Sequence, residues 1–236
     1  MRNIIKIVLV ITALILSYFI FSSVQTFVDF NDKKIVRYAT AAESLQDVAN
    51  AQRLYLGTNG KYTDNLDSLK YFLDHGRIMT IRRRDSSAYV YDQRRRIDVM
   101  RDFTIFDTLY LEGSVRDSVF RGRDAMADFG YVVIEGQRIP IEMYASFSDR
   151  VVGGDSTNIQ RDHFFKGSVP KRQIFAGLDE SLIEREMYLE TAPVKDEVIS
   201  VGSEFRPTLE GNWNNEIDAA LRLRRDRRAQ AQAIQR

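Results

Sequence analysis

The side chains able to do chemistry are few and scattered. His75 and His163 are the only imidazoles, and there is no cysteine, which excludes a disulfide framework, a thiolate zinc site and a cysteine nucleophile. A histidine is the usual general base at neutral pH, but it needs a partner that orients it. His75 falls at a predicted helix end in "LDHG", and His163 lies in "RDHFF"; no spacing ties either to a carboxylate. Asp98 and Asp102 could share acid–base work, yet 33 acidic residues make such pairs common by coincidence. Neither G-x-S-x-G, a Walker loop, G-x-G-x-x-G, H-E-x-x-H nor C-x-x-C occurs, and "GTNGK" lacks phosphate-loop spacing. The expectation is a protein that is not an enzyme, with no catalytic, cofactor-binding or metal-binding residues to name.

Arginine is the other candidate chemistry. The triplets Arg82, Arg83, Arg84 and Arg94, Arg95, Arg96 flank "DSSAYVYDQ", and arginines interleaved with Tyr89 and Tyr91 could track a polyanion by phosphate contacts and stacking. Asp85, Asp92 and Asp98 stand beside both triplets, so the same residues also read as the charged defence of exposed strand edges. With 34 basic and 33 acidic side chains the formal charge is +1, so no global field draws nucleic acid, which is not expected as a partner.

The element that must position everything else comes first in the chain. From Ile7 to Val28 there is no charged residue, and "IVLVITALILSYFIFSSVQTFV" matches the roughly 20 residues a helix needs to cross about 30 Å of hydrocarbon. Lys6 can snorkel to one headgroup layer, while Tyr18, Phe19, Phe21 and Phe27 gather towards the other. Arg2 and Lys6 before the apolar run also fit a cleaved signal peptide, but "YFIFSSVQ" lacks the small-residue cleavage pattern, so a retained signal anchor is expected. Lys33, Lys34 and Arg37 follow the span and blunt the positive-inside count. The short leading tail favours a cytoplasmic N-terminus, with the remainder exported to the periplasm and the span in the inner membrane.

The helix is predicted to continue. Ile35, Tyr38, Ala42, Leu45, Ala49, Gln52 and Leu56 recur at three- and four-residue spacing, with Lys34, Arg37, Glu43, Asp47 and Arg53 mostly between them. Gly57 should end it, Asn59 and Gly60 should turn the chain, and Asp64 or Asn65 should cap a short helix that stops at Gly76. Ile35, Tyr38, Leu45 and Tyr55 on this stripe and turn are candidate interaction residues, packing on the chain's own sheet or on a partner helix.

Beyond Gly76 the sequence reads as strands: "IMTIRRRD", "RRRIDVM", "DFTIFDTLYL" and "SVRDSVF". "GYVVIEGQRIPIEMYASF" is a hairpin turning at Glu135 and Gly136, with Pro140 at an edge, and Val151 to Pro170 reads as a long loop or connector. "LDESLIEREMYL" reads as a helix and "EVISVGSEF" as a last strand. The fold class is α+β: a transmembrane helix continuing into an amphipathic helix and a short second helix, then a mainly antiparallel β domain. The divisions are an anchor at 1–28, a helical region at 29–76, a mainly β domain at 77–213, and a basic tail at 214–236, helical or disordered.

The apolar anchor, the amphipathic helix and "AQRLYLGTNGKYTDNLDSL" resemble the N-terminal region of type IV pilins and type II secretion pseudopilins, over about the first 75 residues. The glycine cleavage site and the glutamate just inside the apolar run that those proteins carry are absent, so there is no prepilin cleavage motif. Over most of the chain "AQRLYLGTNGKYTDNLDSLKYFL", "IFDTLYLEGSVRDSVF" and "VGSEFRPTLEGNW" resemble an uncharacterised family of single-pass envelope proteins from Bacteroidota. The resemblance implies a membrane-anchored structural or assembly component of the envelope, with other envelope proteins as partners and a homo-oligomer compatible with it. The alternative is an anchored binding module that takes a polyanion or cell-wall glycan through the arginine triplets.

Overall fold

The computed structural model describes residues 2–77, 79–92, 97–110, 114–151 and 159–234. Its organising element is one helix, α1 (Arg2–Asn59), 58 residues long and therefore about 87 Å from end to end at 1.5 Å per residue. No glycine precedes Gly57 and no proline interrupts the run, so nothing in the backbone chemistry breaks it. Its first part is bare. The most apolar 18-residue window has a mean hydropathy of 1.8 and none of it is covered by the rest of the chain. Such a helix is compatible with a single-pass membrane anchor, having the length and the apolar composition that a hydrocarbon core requires.

Cover begins abruptly at Phe30, and from Arg37 to Gln52 most residues are buried on every side of α1. The remaining elements are wrapped around this stretch. They are α2 (Leu66–His75), β1 (Met79–Asp92), β2 (Ile97–Tyr110), α3 (Val115–Phe120), β3 (Tyr131–Ile134), β4 (Gln137–Pro140), β5 (Glu142–Val151), β6 (Ile159–Pro170), α4 (Lys171–Ile174), α5 (Glu180–Tyr188), β7 (Val198–Ser203) and α6 (Asn215–Ile234). The class is α+β, with antiparallel sheets of order β1-β2, β3-β4 and β5-β6-β7. The helix α1 packs against β3, β7, α3 and α6, so the core is built around a rod rather than between two layers.

Local chemistry explains the joints. Helix α1 runs two residues past Gly57, and Gly60, at φ +71°, turns the chain out of it. Gln52, buried on the helix, then clamps the turn from both sides, donating to the Thr63 carbonyl at 2.5 Å and accepting from the Thr63 N–H at 3.1 Å. Asn65 caps α2 through bonds to the N–H groups of Asp67 and Ser68, and Gly76 closes it. Tyr55 packs edge-on against Phe72 with ring centroids 5.3 Å apart, pinning the hairpin of helices shut. Glu135 and Gly136 both have positive φ, the two-residue turn whose twist suits the β3–β4 ribbon.

Three expectations are corrected. "SVRDSVF" is not a strand: Val115 to Phe120 form α3, and Val115, Val119 and Phe120 are buried at helical spacing, so packing overrides β-propensity. Residues 159–170 are not a loop but β6, the central strand of the three-stranded sheet, where Phe165, Gly167 and Val169 alternate into the core. "RRRIDVM" and "DFTIFDTLYL" do not give two strands, because Ile97 to Tyr110 run as the single strand β2.

Candidate functional site

The buried part of α1 carries charge into the core, and this is where the molecule concentrates its polar chemistry. Arg37, Glu43 and Asp47 are all at least nine-tenths buried. A buried charge survives only when paired and hydrogen-bonded, and each of these is matched by an element from far along the chain.

Glu43 and Asp47 lie one turn apart on the same face of α1. Arg123, in the segment after α3, grips Asp47 through both carboxylate oxygens, at 2.7 and 2.9 Å, and reaches Glu43 at 3.3 Å. From α6, Arg228 meets Glu43 at 2.6 Å and Arg224 at 3.5 Å. Arg224 also donates to the Thr40 hydroxyl, and Arg225 to the Gln46 side-chain carbonyl. Ile217, Leu221, Arg224 and Arg228 share one face of α6, the first two buried against the body and the last two completing the charge cluster. Burial pushes the Asp47 carboxyl up to about 6, although the Arg123 guanidinium pulls the other way.

Nearer the apolar span a second set forms. The Arg37 guanidinium donates to the carbonyls of Ile174 and Ala176, at 3.1 and 2.9 Å, and to Glu135 at 2.8 Å. That bond holds the exposed Glu135 carboxyl below its ordinary pKa. Glu186 on α5 takes Lys34 at 3.1 Å and the Tyr38 hydroxyl at 3.2 Å. Burial, with the Glu186 carboxylate behind it, raises the Tyr38 pKa well above the phenol range. Lys171 is buried and donates to the Val194 carbonyl at 2.8 Å; desolvation lowers its pKa, against the pull of Glu186. The helix α5 also runs beside the end of the apolar span, where the Arg185 guanidinium lies 5.6 Å from the centre of the Phe27 ring.

Two small clefts open beside the Glu43–Asp47 cluster. One, of about 170 Å³, reaches Thr40, Tyr131 and Arg228; the other, of about 240 Å³, reaches Asn50, Arg121 and Asp226. Asp47 is the carboxyl among those described with a pKa pushed towards neutrality, the property a general base needs. Here both of its oxygens are bound by Arg123, so the arrangement fastens α6 and the α3 region onto α1. His75 stacks on Tyr71 at 4.5 Å, and His163 faces Phe147 across the β5–β6 ladder, so the structure brings each of them together with an aromatic ring. Among the described residues no group of three or more acidic or imidazole side chains is placed to hold a metal ion.

Of the candidate interaction residues, Tyr38 and Leu45 are buried in the chain's own core, Tyr38 edge-on to Phe175 at 4.9 Å. Ile35 and Tyr55 are half-buried. Arg82, Arg83 and Arg84 lie on β1 opposite Asp107, Phe106 and Ile105 of β2, and Arg94, Arg95 and Arg96 lie outside the described residues. Asp92 already stands eight residues beyond Arg84, about 26 Å along the strand at 3.3 Å per residue. Sequence reasoning missed Arg123, Arg224 and Arg228. The available signal was a matched spacing: acids at 43 and 47, arginines at 224 and 228, each pair one turn apart on a helix. Comparison with protein-family models, with curated proteins and with solved structures found no match to this chain.

Proposed function

We propose that this chain is a membrane-anchored structural or assembly component of the cell envelope. In this reading the apolar part of α1 crosses the inner membrane with its N-terminus in the cytoplasm, and the α+β body lies on the periplasmic side, where it holds other envelope proteins. The observation that carries it is the continuity of α1: the helix that is bare over Leu9 to Val28 is the same helix that forms the core from Arg37 to Gln52. A body built around its own anchor cannot swivel freely on it, which suits a part that must present fixed geometry. The resemblance of residues 51–69 to pilins and pseudopilins is the ground for relating that assembly to pilus or secretion machinery. The polyanion or glycan alternative rests on Arg82, Arg83 and Arg84, which follow one another on one strand; the arginines clustered in the body, Arg123, Arg224 and Arg228, are taken up by Glu43 and Asp47.

The experiment combines topology with capture. Phe205 is 85% exposed, and the chain has no cysteine, so Phe205→Cys creates a single surface thiol. In intact spheroplasts a membrane-impermeant maleimide is expected to label it, and crosslinking through a terminal tag is expected to recover envelope proteins. Labelling that required lysis would overturn the exported placement; crosslinks that recovered no envelope protein would overturn the assembly role.

A further inference from the structure

Strands β1 and β2 form a ribbon of their own, 14 residues on each side and so about 45 Å long. Among the described residues no third strand pairs with either outer edge. A lone two-stranded ribbon is marginal in water, and each bare edge offers a row of unused N–H and C=O groups. Towards its far end Tyr89 and Met100 stand directly opposite one another, 73% and 58% exposed.

The charges of β2 select what completes this ribbon. When a strand pairs antiparallel with a copy of itself about a twofold axis normal to the sheet, opposed residues must share a face, so their numbers differ by an even count. The charged positions of β2 are Asp98, Arg101, Asp102 and Asp107. Centring the pair on Met100, Arg101 or Asp102 sets like charges against each other, which is destabilising. One register within the strand sets opposite charges together. It is centred on Thr104, and it places Arg101 opposite Asp107 of the second copy, and Asp107 opposite its Arg101. The same register puts Phe103 opposite Ile105 and Val99 opposite Leu109, at positions on the same face as the charge pair.

We propose that the free edge of β2 is a homodimerisation edge, joining β2 of a second copy antiparallel in the register centred on Thr104. Two ribbons then become one four-stranded sheet, above the three strands needed for independent stability. The outer strands of that sheet are the two copies of β1. Each carries Arg82, Arg83, Arg84 and Asp85 in succession, a charged edge that discourages further strand addition and stops the assembly at two. The inference supplies a second copy as partner and does not depend on which side of a membrane the body occupies.

The absence of native cysteine makes the test direct. Opposed residues in antiparallel pairs have Cα atoms about 4.5–5.5 Å apart, inside disulfide range. The full-length Thr104→Cys protein in native membranes is expected to give a disulfide-linked dimer on mild oxidation, and Ser87→Cys on β1 is expected to stay monomeric. Adding Arg101→Asp to Thr104→Cys sets two carboxylates against each other at the position of the charge pair and is expected to cut the dimer yield severalfold. As a second reading of the register, Val99→Cys and Leu109→Cys are expected to crosslink only when the two variants are co-expressed. Dimers from Ser87→Cys or Ala88→Cys equal to or above those from Thr104→Cys would overturn the proposal, since Ser87 and Ala88 are the centres of the two competing β1 registers, which set Arg82 or Arg84 against Asp92. Failure of both Thr104→Cys and the Val99/Leu109 mixture to crosslink would overturn it as well.

Discussion

Residues 9–28 and 37–52 are two stretches of one helix with opposite relations between composition and cover. The first is uncharged, mostly apolar and bare; the second carries Arg37, Glu43 and Asp47 and is enclosed on all sides. Apolar side chains left uncovered by the protein call for a different apolar solvent, and enclosed charges call for partners. A bilayer has the thickness to answer the first demand, and Arg123, Arg224, Arg228 and Glu135 answer the second at distances of 2.6–3.5 Å. Burial in this chain therefore follows what surrounds the helix rather than the hydrophobicity of its residues.

The hardest way to break the comparison is to unpair a charge in the enclosed stretch. Glu43→Gln leaves Arg123, Arg224 and Arg228 facing an amide, and a buried pair broken on one side costs about 3–5 kcal/mol. Thermal or urea unfolding of the full chain in detergent should register that loss. Leucine truncation sharpens the contrast between the stretches. Leu45→Ala empties a fully buried site and is expected to cost about 2–5 kcal/mol. Leu14→Ala, on a residue 66% exposed, should leave the unfolding of the body unchanged.

Acidity probes the same pairing more gently. Because the folded pKa of Asp47 is raised, the fold takes up that proton before the unfolded chain does, so this group adds stability as pH falls through about 6 towards 4 and loses it as pH rises again. At roughly 1.4 kcal/mol per tenfold change, the contribution reaches about 3 kcal/mol. The stability of the native chain minus that of Asp47→Asn should therefore grow as pH drops from 7 to 4; a flat difference would contradict the raised pKa. The smallest loss of stability is expected beyond the enclosed stretch, at the start of α2. Asn65→Ala removes the cap of α2 and should cost about 1 kcal/mol, with α1 untouched.

What is legible in the sequence divides along the same line. The bare stretch is visible because an uncharged apolar run of that length stands out by composition alone, and the turn is visible because Asn59, Gly60, Asn65 and Gly76 act through local chemistry. The enclosed stretch is half visible: Tyr38, Ala42, Leu45 and Ala49 announce a buried stripe, while Glu43 and Asp47 read as its solvated face. Their partners lie 76 to 185 residues away, a separation no local pattern can bridge. The basic tail reads as helical or disordered, and α6 turns Arg224, Arg225 and Arg228 towards α1 while Arg222 and Arg227 stay exposed. β6 is hidden for a related reason. Gly167 looks like a loop residue, but in the sheet it is buried between Phe165 and Val169 on the core face, and its packing against the Phe165 ring and Val201 is ordinary strand packing.

The central claim is that one unbroken helix carries the bare stretch into the core. Spin labels at Ser17→Cys and Gly57→Cys, both exposed and the only thiols in the chain, measure it in proteoliposomes. About forty residues of continuous α-helix predict a single narrow distance near 60 Å. A broad distribution centred well below that value would mean a joint between the two stretches, and would contradict the account.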